Sequence, residues 1–444
     1  MKPVTHRLVQ GMFIMGLSCG VAAADFSDIE VSALLKSQTA YGTHNEGIQQ
    51  QEWLLDTEFN QGFFGGELTT IARLRWDSDN SLNSASSSPA DSFSQEARPF
   101  FSGEDGVVEL REMYWQLATD NVYWKIGKQQ VVWGEADGLK LLDAINPQSY
   151  REFTLDDFDD SRIPLWMVNA EISVGDDSML QVLLITDTST HELAPVNSPF
   201  SFTSALVVPV PPQGIEVDIN PAKSPSGGLK DSDFGVRLVS FVAGWDVSAN
   251  YLYHYVDTPV VRASLQGTLE NPRVIVDQDY ERSHLVGGSA STSLGQWILR
   301  SELAFETDRY LRSEAVFPGV VKSDVFSFVV GWDWQGWQDQ FISLQYIQGN
   351  VLDNASQLVV DERDEKLSFL WESKFLNETL ALKYLGLYSI NDQDGFHQVR
   401  LTYNYQANVD IYLGGDQFYG HSQGLFGQFD QADRVMLGVN WGIE

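Results

Sequence analysis

Cysteine is nearly absent from the 444-residue sequence, which contains only Cys19. A single thiol excludes a disulfide framework and any zinc or iron–sulfur site built on cysteines. Basic residues are scarce as well: 28 Lys and Arg stand against 61 Asp and Glu, and the formal net charge is −33. Nucleic-acid binding needs clustered Lys and Arg to neutralise phosphates, so the composition excludes nucleic acid as a partner.

Long apolar runs are also missing after the N-terminus, where no segment reaches the ~18 uninterrupted apolar residues that a membrane-spanning helix requires. Residues 1–24 have the features of a secretory signal peptide, with Lys2 and Arg7 at the start, an apolar middle and three final alanines. We expect cleavage after Ala24, which removes Cys19 and leaves residues 25–444. The alternative is a lipoprotein acylated at Cys19, but the residues before it match a lipobox poorly.

The sequence is rich in alternating apolar and polar residues. Leu74 and Trp76, for example, alternate with Arg73 and Arg75. Successive side chains of a β-strand point to opposite faces, so this period predicts sheets with one apolar and one polar surface. The same pattern recurs in residues 53–60, 67–76, 297–306, 326–334, 366–372, 397–405 and 434–443. The fold class predicted from this period is all-β.

Two all-β architectures fit the alternation. A soluble sandwich or propeller hides the apolar face in a core, whereas a transmembrane barrel turns it toward lipid. The polar faces are strongly ionic, as a water-filled lumen allows, and Trp and Tyr recur near strand ends, as at bilayer interfaces. Short turns alternate with long polar connections, which is the asymmetry of outer-membrane barrels. These features favour a single transmembrane antiparallel β-barrel of about 18 strands (range 16–18), with short periplasmic turns and long outer loops.

Residues 134–163 form one long connection that is a candidate obstruction of the lumen. Leu139, Leu142 and Ile145 recur near helical spacing, and Pro147 ends the run. The segment is therefore either a short helix folded into the lumen or a solvated surface loop. Seven of its charged residues are the candidates for a constriction: Glu135, Asp137, Asp156, Asp157, Asp159, Asp160 and Arg162. The proline-rich residues 189–231 are a second candidate, either inserted into the pore or exposed as an outer loop.

Charges on the polar faces of predicted strands are candidates for lumen selectivity. These residues are Arg73, Arg75, Arg300, Glu302 and Glu306. The acidic loop residues offer oxygen ligands that Ca²⁺ accepts, but their spacing lacks the register of an EF-hand. An acidic loop that is solvated or paired with Arg162 is favoured over a Ca²⁺ site, and no other metal or cofactor is predicted.

Catalytic motifs are scarce. His254 near Asp257 and the dipeptide Ser283–His284 come nearest to a hydrolytic pair, and the sequence contains no HExxH, no GxSxG and no paired glycine-rich phosphate loop. We therefore predict that the protein is not an enzyme.

One block carries a family resemblance: VVWGEADGLKLLDAINPQSYREFTLDDFDDSRIPLWMVNAE, residues 131–171, preceded by YWQLATDNVYWKIGKQQ. It resembles the signature of a proteobacterial outer-membrane β-barrel family of unknown function. The resemblance implies an exported barrel. Some members of that family are encoded near an RND-type permease and a partner protein of another uncharacterised family, and related pairs are linked to movement of hydrophobic compounds such as alkanes or lipids. The family has no established catalytic residues, so the resemblance transfers no site.

A barrel of about 18 strands encloses an aqueous channel unless something fills it. We therefore expect a porin-like channel or transport protein of the Gram-negative outer membrane, passing a small solute or a hydrophobic, lipid-like compound. The alternative is a non-conducting barrel that docks an envelope lipid or export complex with an inner-membrane permease. Expected partners are outer-membrane lipid and lipopolysaccharide and, from the resemblance, an RND-type permease and a periplasmic partner.

Overall fold

The computed structural model describes residues 29–443 except 45, 80–91, 104, 135, 137, 209–213 and 269. The predicted signal peptide, residues 1–24, lies outside the described residues. The described chain forms 18 long strands that make up the barrel wall. They are β1 (Glu30–Gly42), β2 (Gly47–Phe63), β3 (Gly66–Asp77), β4 (Gly106–Ala118), β5 (Val122–Gln129), β6 (Leu165–Ser173), β7 (Ser178–Ile185), β8 (Asp233–Val242), β9 (Trp245–Tyr255), β10 (Arg282–Leu294), β11 (Trp297–Arg312), β12 (Val320–Trp334), β13 (Gln340–Val351), β14 (Arg363–Phe375), β15 (Leu380–Ser389), β16 (Asp394–Gln406), β17 (Val409–Tyr419) and β18 (Arg434–Ile443).

Antiparallel ladders join each strand to the next, and β18 pairs with β1 to close the ring, with Leu35 opposite Trp441. Pairing the first strand with the last removes the exposed sheet edges that an open sheet would leave there. Because the strand number is even, β1 begins and β18 ends at the same rim. The prediction of an all-β, antiparallel barrel of about 18 strands is confirmed.

The predicted alternation separates the two faces of the wall. On β3, Leu74 and Trp76 are 45% and 46% exposed, whereas Arg73, which precedes Leu74, points into the barrel and is 4% exposed. Large apolar side chains are exposed on strands around the whole ring, among them Val31, Phe59, Phe234, Trp297, Leu303, Leu344, Leu367, Leu401, Leu413 and Leu437. The outer face is therefore apolar and the ionic face lines the lumen, as in membrane barrels.

The connections are sorted by length between the two rims. Tight turns such as residues 64–65, 243–244 and 295–296 lie at one end, here called the turn rim. The long connections, residues 78–105, 130–164, 186–232 and 256–281, all follow strands that run to the opposite end, here called the loop rim. The predicted alternation of short and long connections is confirmed.

Parts of the long connections have regular structure of their own. Glu216–Ile219, Pro272–Asp279 and Val260–Gly267 form a small three-stranded sheet at the loop rim. Ser149–Tyr150 pairs with Glu192–Leu193 and so ties two long connections together. In the described part of the chain, no helix is long and apolar enough to cross a membrane.

Candidate functional site

Residues 130–164, here called the lumen segment, leave the wall at the end of β5 and rejoin it at the start of β6. The segment contacts strands far apart on the ring. The backbone N–H of Leu142 donates to Glu302 on β11 (3.3 Å), and Gln398 on β16 donates to the Leu155 carbonyl (3.0 Å). The lumen segment therefore crosses the interior of the barrel.

Apolar packing anchors the first half of the lumen segment. Trp133, Leu142 and Ile145 are each at most 4% exposed and pack against inward-facing side chains of β6, β7, β9, β10 and β11. Gly287 on β10 makes room for this contact, because a Cβ there would lie 2.4 Å from Leu142 Cδ2. Burial of apolar surface contributes roughly 25 cal/mol for each Å² removed from water, and this contribution holds the segment against this side of the wall.

A second apolar cluster holds the other half of the segment. Phe153 lies with its ring centroid 4.6 Å from Phe429 and 5.9 Å from Phe426, both in the connection between β17 and β18. Phe200 in the connection after β7, Phe396 on β16 and Phe418 on β17 are the other buried rings of this aromatic group near the loop rim. Edge-on and tilted ring pairs of this kind add stability beyond the area they bury.

The helix predicted from Leu139, Leu142 and Ile145 is not present, since residues 138–147 are irregular. Leu139 packs against the Phe153 cluster, whereas Leu142 and Ile145 belong to the cluster on the other side. One face of a helix cannot serve two clusters on different parts of the wall. The helical turn among the segment's described residues is Phe158–Ser161 instead.

Ion pairs fix the acidic end of the lumen segment to β1, β3 and β4. The Asp160 carboxylate accepts hydrogen bonds from Lys36 on β1 and from Arg73 on β3, the latter at 2.8 Å. Arg73 also makes two 2.7 Å bonds to Asp56 on β2. Arg111 on β4 donates to the carbonyl oxygens of Asp159, Asp160 and Arg162 at 2.7, 3.1 and 2.6 Å. Charge-assisted bonds of this kind are the stronger ones in proteins.

A second ionic group lies where β18 meets β1 and β2. Arg434 on β18 donates to Asp416 at 2.7 Å and to Glu152 of the lumen segment at 2.6 Å, and all three side chains are at most 2% exposed. Next to this group, Arg151 pairs with Glu52 on β2. A buried charge is tolerated because an opposite charge and further hydrogen bonds compensate it.

Two adjoining cavities remain open beside the lumen segment. They contain about 690 and 1020 Å³ of space that is continuous with water. The segment lines both cavities with Asp156, Asp157 and Asp160, and the wall lines them with Lys36 on β1 and several other polar groups. The further polar wall residues are Arg75, Arg400, Arg434, Lys383, Glu52, Gln38, Gln50, Gln398, Tyr412 and Asn440. The open space thus has an acidic edge on the segment and a largely basic edge on the wall, with Glu52 as the carboxylate on the wall side.

The two carboxyl groups Asp156 and Asp160 titrate in opposite directions. Burial, together with the neighbouring carboxylates of Glu152 and Glu52, raises the pKa of Asp156 to about 8. Burial alone would raise the pKa of Asp160 as well, but the adjacent Arg73 and Lys36 lower it overall. One of the two acids is therefore permanently charged, and the charge of the other depends on pH near neutrality.

Several of the predicted site residues come together. Arg73, Arg75, Asp156, Asp157 and Asp160 all line the open space beside the lumen segment. Asp159 points into open space with a side chain that is 92% exposed, while Arg162 is buried and donates to Asp143 (2.8 Å) and Asp159 (2.7 Å). Glu135 and Asp137 lie outside the described residues.

The other selectivity candidates lie elsewhere, on β11. Arg300 pairs with Asp333 at 2.8 Å, and Glu306 pairs with Arg309. Glu302 is 3% exposed and accepts a bond from the lumen segment. The structure therefore places these three residues on the side of the wall where the segment is packed, away from the two cavities.

Several residues of the site were missed by sequence reasoning. Lys36, Glu52, Glu152, Arg400 and Arg434 line the first cavity, yet none was singled out. Lys36 and Arg434 fall on the polar face of the alternation in their strands, so the sequence pattern could have identified them as residues facing the lumen. Nothing local to Glu152 indicates that its partner is 282 residues away.

The histidines singled out in the sequence lie in the wall. His254 on β9 is 8% exposed, and His284 on β10 is hydrogen-bonded to the Tyr251 hydroxyl at 2.9 Å. Absence of enzymatic activity stays a prediction. Among the described residues, no group of three or more His, Cys, Asp or Glu side chains is arranged to hold a metal ion.

The closed wall, its apolar exterior and the chain folded across its lumen define the class of protein: an outer-membrane type of β-barrel. Three solved structures share the fold. OccAB2 of Acinetobacter baumannii has a TM-score of 0.52 at 10% identity, over 95% of this chain and 99% of that one. OccK2 (OpdF) of Pseudomonas aeruginosa in complex with glucuronate has a TM-score of 0.51 at 11% identity, over 94% and 98%. The outer membrane protein opdK of Pseudomonas aeruginosa has a TM-score of 0.51 at 10% identity, over 94% and 99%.

Family membership follows from a sequence match. The model of the family described as "Protein of unknown function (DUF1302)" matches residues 53–439, and the chain therefore belongs to this family. The resemblance carried by residues 131–171 to an outer-membrane barrel family of unknown function is thereby confirmed. A comparison with curated proteins found no match.

Proposed function

We propose that the protein is an outer-membrane channel that passes a small solute through the space between the lumen segment and the wall formed by β1–β3 and β14–β18. One observation carries the proposal. The segment is fixed to the wall on several sides, yet two adjoining cavities, which share Lys36, Asp156, Asp157 and Asp160 in their linings, remain open beside it. A fixed obstruction with an open passage is what a selective constriction requires.

The outer membrane is the proposed location because the outer face of the barrel is apolar and carries exposed tryptophans near both rims. Trp53 and Trp76 are 41% and 46% exposed toward the loop rim, and Trp245 and Trp297 are 37% and 52% exposed at the turn rim. An aromatic ring with a polar group is stable at the bilayer interface, so two such levels mark the two interfaces.

The charges at the constriction favour cations over anions. The wall residues Lys36, Arg73 and Arg434 are already paired with carboxylates. Asp157 and Asp159 are paired as well, with Arg400 (3.6 Å) and Arg162 (2.7 Å), but their side chains remain 60% and 92% exposed. Acidic groups that remain in contact with water set the local potential, so a solute with a positive charge is the favoured cargo.

The test is the reversal potential of purified protein in planar lipid bilayers under a salt gradient. We expect cation-selective currents whose cation preference falls toward unity in the variant D156N/D157N/D159N. The matched control is D120N/D176N/D177N, which removes three exposed acids from the turn rim and should keep the preference. Currents with the same selectivity in all three proteins would contradict the proposed constriction.

Absence of current would contradict the channel itself. The docking alternative would then be supported by stoichiometric recovery of an inner-membrane permease with the barrel from detergent extracts.

A further inference from the structure

The barrel wall is interrupted beside β4. The ladder between β4 and β5 begins at Met113 and Lys128, whereas β4 extends seven residues further, from Gly106 to Glu112. β5 ends at Gln129, and β6 begins only at Leu165, because the lumen segment leaves the wall between them. The opening that results, here called the window, is bordered by residues 106–112 of β4 and by residues 187–190, which follow β7.

Residues 92–103, here called the panel, cover the window. At one end, the Thr190 N–H donates to the Ser92 carbonyl (2.8 Å) and the Ser94 N–H donates to Ser189 Oγ (3.0 Å). At the other end, Phe101 and Ser102 pair with Val108 and Val107 of β4. The panel therefore spans the window from one side to the other.

The window lies at the level of the lipid-facing wall. On β3, the residues opposite Val108 and Gly106 are Leu74 and Trp76, both more than 40% exposed on the outer face. The panel itself exposes Phe100 (75%). Just below the window, an outward-facing apolar groove is lined by Leu68, Met113, Trp115, Ile126, Trp166 and Val168.

The panel also reaches the lumen. Phe93 and Pro99 line a small cavity on the inner side together with Val107 and Ile163. The rest of its lining is polar or charged: Arg73, Arg75, Glu109, Arg111, Ser149, Asp160 and Glu192. Arg111 and Asp160 belong to the ion-pair group that holds the lumen segment. A single thin element thus separates the constriction from the apolar exterior.

Few hydrogen bonds hold the middle of the panel. Lys128, whose side chain shares the outward face with Met113, donates its ammonium to the carbonyls of Leu110 (2.8 Å) and Ala97 (3.4 Å). Trp166 Nε1 donates to the Glu96 carbonyl at 3.1 Å. Separating two barrel strands breaks a whole ladder, whereas displacing the panel breaks a short set of separate bonds. Irregular backbone at the depth of the membrane is unusual and is tolerated where protein covers it.

We propose that the panel is a side gate through which a molecule with a single hydrocarbon chain passes between the lumen and the outer leaflet of the membrane. The proposal rests on the outer-membrane location proposed above but not on ion conduction. The apolar groove outside and the side chains of Phe93, Pro99, Val107 and Ile163 inside supply apolar contacts for such a chain on both sides of the panel. The arginines of the inner cavity, Arg73, Arg75 and Arg111, carry the charge that a carboxylate head group requires.

The test locks the panel with a disulfide in cells that take up a pyrene-labelled hexadecanoate. The sequence without residues 1–24 contains no cysteine, so S94C/S189C introduces the only pair of thiols. We expect oxidation to reduce uptake to the level of cells without the protein, reduction to restore it, and the axial current of the purified protein to remain. The matched control is S248C/S289C, whose parent hydroxyls are 2.8 Å apart on β9 and β10 and do not touch the panel. Uptake unchanged by the closed S94C/S189C disulfide, or lost equally in the control, would overturn the gate.

A second variant keeps the proposal testable if the disulfide protein fails to assemble. K128M removes the ammonium that ties the panel to β5 and should raise uptake at equal amounts of assembled barrel. Unchanged or lower uptake would overturn the gate. Disulfide-sensitive uptake without any axial current would support the gate and reject the channel, so the two proposals fail separately.

Discussion

The charge of Asp156 gives the constriction a pH dependence. Because burial and the nearby Glu152 and Glu52 carboxylates raise the pKa of Asp156 to about 8, this group is mainly neutral below that pH and gains a negative charge above it. We therefore expect cation preference to increase as the pH is raised from well below to well above 8. D156N should abolish the increase and D177N, at the turn rim, should keep it. Reversal potentials measured across this pH range test the prediction. An equal increase in cation preference in D156N would show that another group titrates.

Arg434 bridges two buried carboxylates. Replacing it in R434M leaves Asp416 without its guanidinium partner and leaves Glu152 with Gln50 (2.6 Å) and Arg151 (3.9 Å). Removing one member of a buried pair typically costs about 3–5 kcal/mol. We expect a clear drop in the temperature at which the barrel unfolds, measured by the heat-dependent shift in gel migration.

The control for this prediction is K374M. The Lys374–Glu378 pair has side chains 56% and 62% exposed, and such pairs contribute about 0–1 kcal/mol. Equal unfolding temperatures for the two variants would show that Arg434 does not hold the lumen segment.

At the scale of elements, the lumen segment depends on the absence of a side chain at Gly287. A Cβ at this position would lie 2.4 Å from Leu142 Cδ2 and 2.6 Å from the Leu303 carbonyl, so G287A must displace one of them. Overpacking of this kind typically costs about 1–3 kcal/mol. We expect a lower unfolding temperature for G287A, together with larger or noisier currents as the segment loosens.

Gly62 on β2 provides the matched control, since a Cβ there would meet nothing within 4 Å. G62A should keep both the unfolding temperature and the current of the parent. A G287A protein with parental behaviour would mean that the wall adjusts at Leu303 and that the segment is not packed as tightly as the contact implies.

The strands could be predicted from the sequence, and the position of the lumen segment could not. The face of Arg73 follows from its immediate neighbours Leu74 and Ala72, because parity along a strand is a local property. The partners of Asp160 and Glu152, by contrast, are Arg73 and Arg434, which are 87 and 282 residues away. Contacts of this kind leave no period in the sequence, so the spacing of Leu139, Leu142 and Ile145 alone does not distinguish a short helix from an irregular loop.

At the scale of the whole molecule, the positions of the two apolar clusters determine where open space remains inside the barrel. The Leu142 cluster holds the lumen segment against β6–β11, and the Phe153 cluster holds it near the loop rim. The remaining space lies against β1–β3 and β14–β18, where the wall supplies Lys36 and Arg400. Departure of the segment from the wall also creates the window beside β4. The departure of the lumen segment from the wall thus produces both the proposed constriction and the window.

The sorting of connections between the rims predicts how the barrel is inserted. Outer-membrane barrels place short turns in the periplasm and long loops outside the cell, so Ser224 in the connection after β7 should be extracellular and Asp120 in the turn after β4 periplasmic. Both side chains are exposed, and the sequence after residue 24 contains no cysteine, so each position can be labelled alone once the predicted signal peptide is removed. In intact cells, a membrane-impermeant maleimide should label S224C, and it should label D120C only after the outer membrane is permeabilised. Labelling of D120C but not S224C in intact cells would show that the barrel is inserted in the opposite orientation. Labelling of neither variant after permeabilisation would show that the protein lies in another compartment.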